Sequence, residues 1–128
     1  MSRQIIKTEK APAPIGPYNQ AVKANGLVFV SGQVAIIPAT GELELSSIQA
    51  ETHQIMKNLQ AVLEEAKLTL AHVVKTTIFL SDMAHFTQVN EVYGSYFIGD
   101  HPARETVAVK GLPRGVNVEI SVIAVVDL

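Results

Sequence analysis

The chain has 128 residues, no cysteine, a net charge of −2, and 48% apolar against 17% charged residues. That length and balance describe a single domain, residues 1–128, with a core of its own, and exclude a disordered tail. The missing cysteines exclude disulfides, thiolate catalysis and Cys-based metal sites, and the mildly acidic charge offers nothing to a phosphate backbone.

No run approaches the ~20 apolar residues of a membrane span. The opening residues, MSRQIIKTEKAPAP, lack the apolar core of a signal peptide. The expectation is a cytoplasmic protein with no membrane partner.

Residues 3–7 read as a short strand. The segment from Ala11 to Pro17 holds three prolines in seven residues and must be loop. Tyr18 to Ala24 alternates weakly as a strand, and Asn25-Gly26 is a two-residue hairpin turn. Leu27 to Val34 is the partner strand, and Gly32 within it predicts a bulge or a close approach to the backbone. After a loop at Pro38 to Gly41, Ser46 and Gln49 have capping-box spacing. Ile48, Ile55, Met56, Leu59, Val62, Leu63 and Ala66 then follow helical periodicity to about Lys67. Glu51, Lys57, Asn58, Glu64 and Glu65 fall on the opposite, outward face.

Val73 to Leu80 is β-branched and reads as a central strand. Ser81-Asp82 caps a second helix with a stripe of Phe86, Val89, Tyr93, Tyr96 and Phe97, ended by Gly99 and Pro102. Arg104 to Lys110 and Val116 to Val126 are the last two strands. The order β-β-β-α-β-α-β-β is that of an α+β sandwich, ferredoxin-like or chorismate-mutase-like. Two helices cover one sheet face. The other, expected to carry Thr76, Thr106, Ala108 and Ser121 or their neighbours, must be solvated or packed on another subunit. A closed homo-oligomer is expected.

Two strand residues stand out. Arg104 enters a strand behind His-Pro-Ala, and a planar guanidinium held there suits a substrate carboxylate. Glu119 interrupts an apolar strand, and a fixed carboxylate can orient or deprotonate water. A lone Arg or Glu on a strand is more often an ion-paired or solvated residue. Tyr18 and Asn90 are weaker candidates for hydrogen bonding into a pocket. The four histidines show no metal-ligand spacing. No nucleophile elbow, Walker motif or dinucleotide fingerprint occurs.

Several separated segments resemble the reactive-intermediate deaminase (Rid) family. Ala11 to Tyr18 is similar to its AP-x-x-IGPY segment, and Val30-Ser31-Gly32-Gln33 to its SGQ strand. Val73 to Leu80 is similar to its central strand, and Val89 to Tyr93 to its second helix. Pro102-Ala103-Arg104, Leu112-Pro113 and Val118-Glu119-Ile120 are similar to its C-terminal signature. The resemblance implies a chorismate-mutase-like fold, with a mixed six-stranded sheet and two helices on one face. It implies a homotrimer with sites between subunits and no metal or organic cofactor. The implied activity is hydrolysis of 2-imino acids, such as 2-iminobutanoate and 2-iminopropanoate, to 2-keto acids and ammonia. Arg104 would hold the substrate carboxylate and Glu119 would position water. Tyr18, Gly32, Asn90 and Thr106 would line the cleft.

Three positions depart from the family pattern. Glu105 stands where a small residue is usual, Thr106 where many members have Cys, and Ser121 where a second acid is common. By alternation Glu105 should point away from Arg104. The competing reading is a regulatory trimer that binds a small carboxylate without turnover. RNA binding is disfavoured by the charge and by the lack of a basic stripe.

Overall fold

A computed structural model describes residues 2–127. The strands are β1 (Gln4–Ile6), β2 (Ala21–Ala24), β3 (Leu27–Gln33), β4 (Val73–Leu80), β5 (Ala103–Ala108) and β6 (Val118–Val125). The helices are α1 (Ile48–Glu65) and α2 (Phe86–Gly94). The strands form one six-stranded sheet in the order β1-β2-β3-β6-β4-β5. All pairings are antiparallel except β4–β5, which is parallel and spanned by α2. The expected element order and the mixed sheet are therefore both present.

The β2–β3 hairpin turns at Asn25 and Gly26, both with positive φ (53° and 79°), as a primed turn requires. Strands β3, β4 and β6 send Val28, Val30, Ile78, Leu80, Ile120 and Val122 to the helix side. Helix α1 meets them with Ile55, Met56, Leu59, Val62 and Leu63, all fully buried. Each such side chain contributes about 2 kcal/mol by leaving water. Helix α2 adds Val89 and Tyr93 to the same cluster.

Four expectations need correction. The cap of α1 is Ser47, whose hydroxyl accepts from the Ala50 amide at 3.0 Å, while Ser46 bonds Glu44 instead. Two adjacent serines made the choice ambiguous. Helix α2 ends at Gly94, so Tyr96 and Phe97 pack from the turn beyond it.

Glu51 and Asn58 do not face water; they are 0% and 1% exposed. The Glu51 carboxylate accepts from the Asn117 and Val118 amides and from Asn117 Nδ2, at 2.8–3.0 Å. It thus ties the first turn of α1 to the start of β6. Asn58 donates to the carbonyls of Val34 and Ile36 at 3.1 and 3.0 Å. Both side chains satisfy backbone groups that burial would otherwise leave unpaired.

The fourth correction concerns sheet faces. Thr76 pairs with Val122 and Arg104, Thr106 with Ile78, and Ala108 with Leu80. Directly paired residues share a face, so Thr76, Thr106 and Ala108 lie on the helix side. Only Ser121, opposite Thr77, lies on the uncovered side as expected. That side is more apolar than anticipated. Ile5, Val22, Phe29 and Ile123 line up across four strands, and Ile5 and Phe29 are each 43% exposed.

Candidate active site

Arg104 lies on the edge strand β5, on the helix face of the sheet, beside α2. Its guanidinium carbon stands 5.2 Å from the centroid of the Tyr93 ring and 5.8 Å from that of Phe86. Among the described residues it has no carboxylate partner, since the ion pair present joins Lys75 to Glu105 at 3.1 Å. Glu105 also accepts from the Thr77 hydroxyl at 3.1 Å, and Lys75 and Thr77 together hold its carboxyl below the usual range. The acid following Arg104 is thus engaged on the opposite face and does not compete for it, as alternation predicts.

Arg104 opens onto a cavity of about 460 Å³ that Asn90, Tyr93, Gly94, His101 and Pro102 also line. Asn90 is therefore beside it, projected from α2 one turn before Gly94. Thr106 lines neither cavity; its hydroxyl is buried and has no hydrogen-bond partner among the described residues.

Glu119 lies on the other face. It pairs across β6–β4 with Phe79, which alternates with the buried Ile78 and Leu80. Burial pushes its carboxyl above the usual range, with no hydrogen bond among the described residues to pull it back. Gly32 makes this position possible. Between Val30 and Gln33 the β3–β6 register shifts, so Ser31 and Gly32 together oppose Ser121 alone in a bulge. A Cβ on Gly32 would stand 2.8 Å from the Glu119 carboxyl carbon and closer still to one of its oxygens. The glycine gives the bulge and leaves the space that the carboxylate occupies.

Glu119 and Gly32 form the base of a second cavity, about 420 Å³, walled by the proline loop with Pro12, Ala13, Ile15 and Tyr18. That loop is fixed by Gln20, which sequence reasoning passed over. The Gln20 amide accepts from the Thr8 N–H at 2.8 Å and donates to the carbonyls of Thr8, Ala11 and Pro12 at 2.8–3.3 Å. A Gln just after a loop without regular structure was the only available signal. Tyr18 is positioned by its hydroxyl, which accepts from the Ile15 amide at 3.2 Å.

The candidates thus fall into two sets within one chain. Tyr18, Gly32 and Glu119 share one cavity; Arg104 and Asn90 share the other; no lining residue is common to both. The protein is an α+β sandwich that carries a half-buried arginine on one sheet face and a half-buried carboxylate on the opposite one.

The chain belongs to the endoribonuclease L-PSP family, whose model matches residues 8–126. It is 47% identical over 123 residues to the 2-iminobutanoate/2-iminopropanoate deaminase of Mus musculus, covering 96% of this chain and 91% of the mouse protein. It is 50% identical over 127 residues to protein DfrA of Myxococcus xanthus, covering 98% and 97% of the two chains. A crystal structure of a conserved Rid-family protein from Yersinia pestis superposes with a TM-score of 0.95 at 47% identity, over 98% of this chain and all of that one. These neighbours bear out the resemblance read from the motifs. No helix among the described residues is long and apolar enough to cross a membrane.

Proposed function

We propose that this chain hydrolyses 2-imino acids to 2-keto acids and ammonia, as a homotrimer whose sites are assembled from two copies. The observation that carries the reading is Arg104, a cation with aromatic contacts, an adjoining cavity and no carboxylate partner among the described residues. A half-buried guanidinium of this kind suits a small carboxylate. The mouse relative's name supplies the substrate class.

Arg104 and Glu119 lie on opposite faces of one sheet, so one protomer cannot bring them to one substrate. A site using both needs the arginine of one copy and the carboxylate of the next. The exposed apolar row through Ile5 and Phe29 supports burial of the uncovered face against such a copy. A mass of about 41 kDa by light scattering, three times 13.8 kDa, is the expected result.

In this reading Arg104 clamps the substrate carboxylate in two parallel hydrogen bonds, which fixes C2 of the imine. Glu119, ionised, takes a proton from water as the water oxygen bonds to C2. The imine reacts in its protonated form, so the C=N π pair moves to the iminium nitrogen and gives a neutral carbinolamine. Glu119 passes the water-derived proton to the carbinolamine nitrogen, takes the hydroxyl proton as the C–N bond breaks and ammonia leaves, and then gives that proton to the ammonia. The products are a 2-keto acid and ammonium, and no redox change occurs. Asn90 would line the carboxylate side, Tyr18 and Gly32 the water side. The cleft's backbone near Thr106 stays part of the proposal, although the Thr106 side chain lines neither cavity.

Nothing in the geometry favours RNA cleavage. Among the described residues no histidine lines the Glu119 cavity and only His101 lines that of Arg104.

The test couples a threonine dehydratase to the protein and follows 2-ketobutanoate while semicarbazide traps free imine. The protein should outcompete the trap. Failure to do so, with 2-ketobutanoate still binding by calorimetry, would leave a carboxylate-binding trimer. Gly32→Ala is expected to lower kcat in this assay by about tenfold or more, because the added methyl group evicts the Glu119 carboxylate. An unchanged kcat would remove Glu119 from the chemistry.

A further inference from the structure

The feature of Arg104 that the proposed mechanism takes for granted is its fixed position. A guanidinium on an exposed edge strand has several rotatable bonds and normally settles on the nearest carboxylate. Here the nearest acid in sequence, Glu105, is drawn to the other face by Lys75 and Thr77. What faces Arg104 is a pair of rings. Phe86 stands at the first position of α2 and Tyr93 two turns later, and both rings approach the same guanidinium.

The Tyr93 ring is itself held from three sides. It is 3% exposed, and its hydroxyl donates to the buried Thr76 hydroxyl at 2.9 Å. Phe97 packs against it with centroids 4.8 Å apart. Thr76 is the β4 residue directly paired with Arg104. The strand partner of the arginine therefore fixes the ring that the arginine lies on. Burial pushes the Tyr93 phenol up, against the lowering by Thr76 and by the Arg104 charge, so it stays a neutral donor at neutral pH.

We infer that Tyr93 and Phe86 are the positioning residues of Arg104: an aromatic cradle that orders the guanidinium by cation–π contact without consuming its N–H donors. A carboxylate in their place would order the side chain equally well, but would occupy the fork that a substrate carboxylate needs. A ring face engages the charge and leaves the five donors free. This inference rests on the clamp reading for its functional consequence, but its physical claim is about the free protein.

The experiment is chosen to separate the two. Order parameters of the Arg104 Nε–H group are measured by 15N relaxation in the uncomplexed protein. The wild type should be rigid, Phe86→Leu and Tyr93→Leu mobile, and Phe86→Tyr rigid. In steady-state assay, Phe86→Leu should raise KM for the imino acid about tenfold with kcat little changed, and Phe86→Tyr should restore it. A role in packing alone would lower Tm and leave both the order parameter and KM where they were. Phe86 is only half-buried, so Phe86→Leu remains informative if Tyr93→Leu fails to fold. A mobile Arg104 in the wild type, or one equally rigid in Phe86→Leu, overturns the cradle whatever the activity. A rigid Arg104 that loosens in Phe86→Leu, in a protein that binds no 2-keto acid, upholds the cradle and sinks the clamp.

Discussion

Replacing Arg104 by alanine is expected to lower imine hydrolysis by about a hundredfold or more, close to the rate of the free imine in water. The reasoning is energetic. A protonated imine is already a good electrophile, so the protein has little bond-making to assist and acts mainly by orientation. In the proposed mechanism the bidentate clamp supplies that orientation, and losing about 3 kcal/mol of it corresponds to roughly two decades in rate. The fold should survive. Arg104 sits on an edge strand, makes no ion pair among the described residues, and leaves behind only the faces of Phe86 and Tyr93. Arg104→Lys should recover little, because an ammonium keeps the charge but not the planar fork. Circular dichroism and light scattering check the fold while the coupled assay reads the rate. Activity within a few-fold of wild type would remove the clamp from the mechanism.

Glu119→Gln should lower kcat by about a hundredfold, the usual range for a lost general base. It should also make the protein more stable at neutral pH. The direction follows from linkage. Burial raises the folded carboxyl above its unfolded value, so between the two values the folded state holds more protons than the unfolded one. The stability contribution of Glu119 is complete below the unfolded value near 4.5 and is lost as pH rises through the folded one. Glutamine removes that loss. Activity runs the other way: the base must be ionised, so kcat should rise with pH through the same raised value. A variant with lower kcat, higher Tm at neutral pH and a flattened acid limb carries all three signatures. A lower Tm at neutral pH would show instead that the ionised carboxylate is well satisfied where it sits.

Much of the fold was legible because its signals are local. Asn25-Gly26 fixes a hairpin, β-branched density marks β4, and Ile55 to Leu63 repeat at helical spacing. The candidate residues Arg104 and Glu119 were legible as outliers, a charge in each of two strands that should be quiet. What the sequence did not carry was which face each charge occupies. In β5 one alternating set is Arg104, Thr106 and Ala108 and the other mixes Ala103, Glu105 and Val107, so alternation separates Arg104 from Glu105 without saying which set meets the helices. That is decided by pairing to Thr76 and Ile78 on β4, a contact between distant segments. Glu51 and Asn58 were missed for a related reason. Periodicity ranks side chains by polarity, and a buried acid that satisfies the amides of Asn117 and Val118 looks like any solvated glutamate until those amides are in place. The division of the candidates between two cavities is likewise a product of sheet topology.

The proposed mechanism needs one competent site to take Arg104 from one copy and Glu119 from another. Its most direct test is subunit exchange between two inactive proteins, Arg104→Ala and Glu119→Gln, mixed in equal amounts, with mixed trimers verified by native mass spectrometry. Random exchange makes about three quarters of the trimers mixed, and every mixed trimer has one intact site in three. Recovery of about one quarter of wild-type activity is expected, and none from a homotrimer that carries both substitutions on every protomer. Mixed trimers that remain as inactive as their parents would contradict it.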